Sequence, residues 1–501
     1  MRRLSLVGLG FVLLVAACAG DSDGAAAPEP VETTATTSTT GAGSEPTATL
    51  PPTTVPDFIP QTEGVPFLER DLLGRIDAFN ERANSIFAGY IATEMGQSGD
   101  IRWAPWLLDL MRLGGSTDTD VRTARALQAL SGIPATGDPQ DDALQYGIWA
   151  RTEEIDPGPG YIEFKTSLFG IAHPDFERLL EGVNDRNVLA RIRWGGVARA
   201  GIPELNDQAR ITVEEADFMT DEELVLGVVV EGQAVAYPLR FLARHELAND
   251  HIEGIPVAMV YCTLCKSGIL FDRRVDGQVL DFQTSGMLID SNKIMVDIQT
   301  ETLWHHLSGT GIGGPHKGHV LDRYAVEVAR WDEWVAEHPE TETLSTPSPK
   351  YFPDQPDRPP IAFEYTPGDA YAFYYSSDNV WFPVLEHPDV FERKEEVVTV
   401  DRDGLAVAFG LSDVEVAEPF VYVLGDEPLA VVGHSGGARV YSGRGLDLEH
   451  LQPLDVAPDG ATTETLRLTD GRELPRIVSS QSFWFAWFGL HQDTVWWPDA
   501  E

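Results

Sequence analysis

The sequence predicts an α+β chain, with an N-terminal helical domain followed by a β-rich, internally duplicated region. Three observations predict it. Apolar residues first recur at helical spacing. From Trp194 onward they form short alternating, β-branched runs between Gly and Asp, and one such series returns later with its turn residues and order kept.

The chain opens with a targeting segment rather than a fold. Arg2 and Arg3 give a basic n-region, and Leu4 to Val15 an apolar stretch short of the roughly 20 residues that span a bilayer. Val15-Ala16-Ala17-Cys18 resembles the lipobox of bacterial lipoproteins, so residues 1–18 are expected to be a lipoprotein signal peptide with Cys18 as the lipid attachment site. That reading places the protein in the cell envelope, lipid-anchored and facing outside the cytoplasm, with membrane lipid as its first partner. Residues 19–60 are rich in Thr, Ala, Pro, Gly and Ser. They bury too little apolar surface to offset their ordering entropy, so a disordered tether is expected there.

The charge balance is 36 basic against 79 acidic residues, a net of −43, which excludes nucleic acid as a partner because a phosphate backbone needs a basic face. Solubility is the plain reading of that charge. Only three cysteines occur, Cys18, Cys262 and Cys265, so stability must come from a core rather than from a disulfide framework.

Residues 61–190 read as the helical domain. Leu68, Leu72, Ile76 and Phe79 recur at helical spacing, as do Val121, Ala124, Leu127 and Leu130. Ser116 and Thr117 offer an N-cap, and Ser131-Gly132-Ile133-Pro134 a stop. Residues 191–350 are expected to form a first β-rich repeat: strands at Leu224 to Val230, Ala234 to Tyr237, Pro256 to Tyr261 and Gly268 to Phe271, a short helix from Phe241 to Asn249, and a tight turn at Asp276-Gly277. Residues 351–501 are expected to form a second. Glu222 to Tyr237 is echoed by Glu395 to Phe409, and Ile255 to Tyr261 by Glu427 to Gly433. Where the first copy has cysteines, the second has Gly433-His434-Ser435-Gly436-Gly437.

Tyr261-Cys262-Thr263-Leu264-Cys265-Lys266-Ser267-Gly268 carries the chemistry, and three readings stay open. A knuckle between two strands would aim both sulfurs at one soft ion, Cu or Zn, with a further ligand required; His245 on the preceding helix is the best candidate. A thiol–disulfide redox pair is the second. The third is a permanent Cys262–Cys265 disulfide in an envelope interaction module, with a protein partner of unstated identity. His305, His306, His316 and His319 lie within sixty residues of the pair, and His316-x-x-His319 could chelate at a turn. Met259, Met287 and Met295 could suit copper, although Met at strand positions is usually core.

An ordered string of motifs then resembles a known family. It runs from Trp194-Gly-Gly-Val-Ala-Arg-Ala-Gly-Ile-Pro-Glu-Leu205 through Ala236-Tyr-Pro-Leu-Arg240, His245-Glu246, Asn249-Asp250, Tyr261-Cys-Thr-Leu-Cys265 and Phe271-Asp-Arg273. Asp297-Ile-Gln-Thr-Glu-Thr-Leu-Trp304, Gly309 to Gly314, and Phe483-Trp-Phe-Ala-Trp487 before His491-Gln-Asp-Thr494 complete it. Over roughly residues 193 to 497 this resembles the bacterial family called domain of unknown function 3179. The resemblance implies an exported protein with the Cys-x-x-Cys segment as hallmark and no established reaction. It also implies Pro after the first cysteine and Gly after the second, where this chain has Thr263 and Lys266.

No hydrolase or nucleotide signature is present. Gly433 to Gly437 and Gly311 to Gly314 lack the context of a nucleophile elbow or a phosphate loop, and both read as turns. Asp272 and Asp297 read as turn and strand-end hydrogen-bonders rather than general bases.

Overall fold

The computed structural model describes residues 85–113, 117–349, 363–366, 370–446 and 452–498. Cys18, the tether, the Leu68 to Phe79 spacing and Ser116 lie outside the described residues. Among those described, no helix is long and apolar enough to cross a membrane.

Seven helices come first: α1 (Ser85–Ser98), α2 (Ala104–Leu113), α3 (Thr117–Ser131), α4 (Pro139–Thr152), α5 (Tyr161–Ala172), α6 (Pro174–Glu181) and α7 (Arg186–Arg191). Their ends follow from local chemistry. Asp138 and Asp185 cap α4 and α7 by accepting from backbone N–H groups two and three residues on. Helix α3 carries Asp118 and Asp120 in its first turn and stops at Ser131, because Gly132 swings to a φ of +78°. It buries Ala124 and Leu127, but Val121 is exposed. Inside the bundle, Asp109 on α2 is fully buried. It accepts from the Tyr161 hydroxyl at 2.6 Å and the Lys165 ammonium at 3.1 Å, the pairing that burial of a charge demands.

The rest is a β-rich, six-bladed propeller-like region, with six sheets of three to five strands and one small hairpin. Strands used below are β1 (Ile192–Trp194), β2 (Leu224–Val230), β3 (Gln233–Pro238), β4 (Leu247–Ile252), β5 (Ile255–Cys262), β6 (Ser267–Asp272), β7 (Phe282–Ile289), β8 (Asn292–Asp297), β9 (Glu327–Arg330) and β10 (Glu342–Leu344). They continue with β11 (Glu396–Arg402), β12 (Leu405–Gly410), β13 (Phe420–Leu424), β14 (Glu427–His434), β15 (Gly437–Ser442), β16 (Ser480–Phe483) and β17 (Val495–Trp497). Helix α8 is Leu239–His245, α9 Trp331–Glu337, α10 Ala372–Tyr375, α11 Leu411–Val416 and α12 Trp484–Phe488.

Topology shows the duplication directly. The order β9-β2-β3-β10 in one sheet is matched by β16-β11-β12-β17 in another, and the pairing senses match as well: antiparallel, antiparallel, then parallel. A short helix follows each hairpin, α8 after β3 and α11 after β12, and each leads into a meander, β4-β5-β6 or β13-β14-β15. The hairpin turns agree in detail. Glu231-Gly232 and Asp403-Gly404 each place two residues at positive φ, as a tight turn between twisted strands requires.

Two local expectations are corrected. The segment expected to be helical from Phe241 to Asn249 is helical only to His245. Glu246 takes a left-handed φ of +59° and reverses the chain, after which Leu247 to Ile252 pair antiparallel with β5. Gly311 to Gly313, expected as a turn, is a strand beside Leu303 and Trp304. Gly433 to Gly437 does form the β14–β15 turn.

Helices and sheets share a core. Met287 and Ile289 of β7 and Ile294 and Val296 of β8 are buried with Trp106, Phe164 and Leu180 of the helices. Burial of that apolar surface couples the two regions. A second core holds Cys262 and Cys265 among Trp304, Tyr374, Phe483, Trp484 and Trp487.

Candidate functional site

The β5–β6 meander ends in a four-residue turn. Cys262 pairs with Ser267 across it, so Thr263 to Lys266 loop out and return. Lys266 closes the turn at a φ of +50°, the left-handed region that costs a side-chain-bearing residue and that glycine enters freely. That explains why a glycine suits this position and why Lys266 is held from outside, by an ion pair to Glu396 and by lying 5.4 Å over the Tyr375 ring. The turn is pinned to the second repeat, where Phe483 N–H donates to the Cys265 carbonyl at 2.9 Å.

Both cysteines are free thiols and both are buried, Cys262 at 2% and Cys265 at 0% exposure. A directional chain of hydrogen bonds reaches them. His306 Nε2 lies 3.2 Å from the Ser267 carbonyl, which can only accept, so that nitrogen carries the proton. The same nitrogen lies 2.9 Å from Ser267 Oγ, which therefore passes its own hydrogen on to Cys265 Sγ, 3.0 Å away. Asn292 Nδ2 adds a second donor to that sulfur at 3.4 Å. Burial raises the Cys262 thiol, but the Cys265 thiol and the backbone N–H groups of Cys265 and Lys293 outweigh it, and its pKa falls below the ordinary value. Cys265 goes the other way, pushed well up by burial and then by Cys262. The result is an asymmetric pair in which Cys262 is the more acidic thiol.

The surroundings are polar but incompletely satisfied. Asn292 Oδ1, His306 Nδ1 and Trp484 Nε1 are buried without a hydrogen-bond partner, and the buried Ser291 and Tyr374 hydroxyls have only each other. Burial, then the nearby Cys262 and Cys265, raises the Tyr374 hydroxyl. Buried polar atoms are normally paired, so this cluster beside two thiols departs from an ordinary interior. Over the top lies α10, whose Tyr375 hydroxyl donates to the Thr263 carbonyl at 2.9 Å. Glu246 fixes the rim by accepting from Thr263 Oγ1 at 3.2 Å and pairing with the buried Lys293 ammonium.

The other candidates lie elsewhere. His245 is fully buried at the end of α8, but its Nδ1 sits 2.7 Å from the Pro203 carbonyl and its Nε2 2.6 Å from the Tyr365 hydroxyl. Both nitrogens are engaged away from the sulfurs, so the geometry does not bring His245 to them as a ligand. His316 and His319 pack against Trp304, each with ring centroids 6.0 Å from it, rather than against the cysteines. Met259, Met287 and Met295 are in three separate cores. Among the described residues no group of three or more His, Cys, Asp or Glu side chains could hold a metal ion. Asp297 is a strand-end acceptor for Thr302 N–H and Trp304 Nε1, and Asp272 accepts from Arg274 N–H. Ser267, Asn292 and Tyr374 were not legible as site residues; only their placement by β6, the β7–β8 turn and α10 reveals them.

Fold and site together define a class: an α+β propeller-like scaffold with a buried dithiol turn. The chain matches the family described as Protein of unknown function (DUF3179) over residues 199–494, and it belongs to that family. No curated protein and no solved structure matches it.

Proposed function

We propose that this protein is a lipid-anchored extracytoplasmic binder of a soft monovalent ion, Cu(I), held between Cys262 and Cys265. The carrying observation is the turn itself: two sulfurs flanking one tight turn, with Ser267 Oγ and Asn292 Nδ2 aimed at Cys265 Sγ. Thiolate is the soft ligand that selects Cu(I), and hydrogen bonds from neighbouring donors are what tune a metal thiolate. The donor set presented is two sulfurs, which suits a two-coordinate ion better than tetrahedral Zn. His245 drops out of the ligand set in this reading. The test is titration of the reduced, full-length protein with Cu(I) in competition with a chromophoric chelator. One ion per chain is expected, lost in the double variant Cys262→Ser/Cys265→Ser. Uptake that survives the double variant contradicts the proposal.

One observation favours a redox reading as the alternative. The lowered Cys262 and raised Cys265 resemble an attacking and a resolving thiol. In that case Cys265→Ser accumulates a mixed disulfide through Cys262, whereas a Cu(I) binder accumulates none.

A further inference from the structure

A cleft of about 450 Å³ is lined by the helices, by Asp290 of the first repeat and by Pro383 and Leu490 of the second, and holds neither cysteine. Its polar wall gathers Arg151, Arg191 and Arg193 in a chain whose net charge is −43. Asp290, 7% exposed, sits between two of them, accepting from Arg151 Nε at 3.1 Å and Arg191 Nε at 3.0 Å. The other acidic residues do little to balance the third cation. Asp185 is spent on the N-cap of α7, and Glu154 is 71% exposed and 3.9 Å from Arg151. Arg193 is 11% exposed and gives its Nη1 to the Ala190 and Ile192 carbonyls, while its nearest carboxylate, Asp109 at 3.7 Å, already serves Lys165 and Tyr161. Arg112 stands close enough to Arg193 for the two to repel, and burial first, then Arg193, brings its pKa down to about 10. Like charges held together out of water require a counter-charge.

The lining also holds the apolar Ile155, Pro383 and Leu490. A volume of this size lined by both guanidinium groups and apolar side chains is the form of a small-molecule site. We propose that the cleft binds a small organic acid, its carboxylate against Arg191 and Arg193 and its hydrocarbon body against Ile155, Pro383 and Leu490. Arg191 gives its Nε and Nη2 to Asp290, so the ligand carboxylate competes with Asp290 for that guanidinium and takes the charge of Arg193 beside it.

The probes are hexanoate, hexylammonium of equal length and opposite charge, and inorganic phosphate, each titrated into the full chain by calorimetry and followed by thermal melting. Hexanoate binds once per chain and raises Tm; hexylammonium and phosphate do not. Arg193→Gln weakens hexanoate about tenfold, the loss of one charge-assisted hydrogen bond. Asp290→Asn removes the competing carboxylate, so the Tm gain from hexanoate is larger in that variant than in the parent, which a purely structural role of Asp290 would not produce. Equal response to hexanoate and hexylammonium, binding of phosphate alone, unchanged binding in Arg193→Gln, or no binding in both parent and Asp290→Asn each overturns the proposal. Cys262→Ser/Cys265→Ser keeps hexanoate binding intact, so the cleft stands or falls apart from the thiol site.

Discussion

Ser267 shows how one hydroxyl sets the character of the thiol pair. It takes a hydrogen from His306 and gives one to Cys265, leaving Cys265 free to donate toward Cys262. Removing it with Ser267→Ala leaves Cys265 Sγ with Asn292 Nδ2 as its one side-chain donor and His306 Nε2 with the Ser267 carbonyl alone. Cu(I) affinity should then fall about tenfold, as loss of an outer hydrogen bond to a metal ligand does; unchanged affinity in the competition titration would show that the relay plays no part. His305 carries a pH signature. Burial, then Arg191, brings its pKa down to about 4, against about 6.5 in the unfolded chain. Between those values the unfolded state takes a proton that the folded state refuses, so stability falls as pH drops from about 6.5 to about 4 and is flat on either side. The full loss is about 3 kcal/mol. His305→Gln should melt with a smaller difference between pH 7.5 and pH 5 than the parent; an equal difference would place the acid sensitivity elsewhere. The cysteines were legible because two such residues in so cysteine-poor a chain stand out. Asn292 and Tyr374 were not, since nothing in an Asn or a Tyr announces that a distant turn or helix will bring it to a sulfur.

At the scale of elements, strands were legible where runs of Val, Ile and Tyr alternate between turn residues, as at Leu224–Val230. The helix ending at His245 was misread because Leu247 to Asn249 continue an apolar pattern. A single left-handed residue, Glu246, decides the change, and only the pairing with β5 reveals it. The internal echo was read one residue out of step in its first strand. From the turn register, Val225 corresponds to Val397, so Glu223 rather than Glu222 matches Glu395. One residue of slip turns a strand over, so only the paired register could settle it. A clearer echo went unread: Trp331-x-x-Trp334-x-x-x-His338-x-x-Thr341 returns as Trp484-x-x-Trp487-x-x-x-His491-x-x-Thr494. In each copy the second Trp Nε1 donates to the Thr Oγ1 at 2.9 Å and its ring lies 4.2 or 4.1 Å from the His ring. The motif clips a helix to the strand that follows, β10 or β17. Trp334 packs on Gly227, where an added Cβ would sit 2.2 Å from the ring. Gly227→Ala should therefore cost about 1–3 kcal/mol by overpacking, read from denaturant midpoints; a neutral result would mean that the ring moves freely.

In the whole molecule, duplication places Cys262 and His434 at the same point of their repeats, each the last residue of its strand before a turn. In the second repeat that point lies near a buried ion cluster rather than a thiol. Glu327 accepts from Arg439 at 2.8 and 2.6 Å, and His434 Nε2 lies 3.8 Å from it. One scaffold thus carries a buried thiol at that point of the first repeat and a histidine beside an ion cluster at the same point of the second. The helical region is not an independent neighbour, because its apolar residues share a core with β7 and β8 and because Arg151 and Arg191 reach Asp290. Thermal unfolding should accordingly show one transition for helices and sheets together; two separated transitions would contradict the shared core. Composition and periodicity could not show this, since they describe what each segment buries and not against what. The central claim remains the dithiol, and X-ray absorption at the copper edge of the Cu(I)-loaded protein tests it most directly. Two sulfur neighbours and no nitrogen are predicted. A copper shell of nitrogen or oxygen, or the same spectrum from Cys262→Ser/Cys265→Ser, would contradict it.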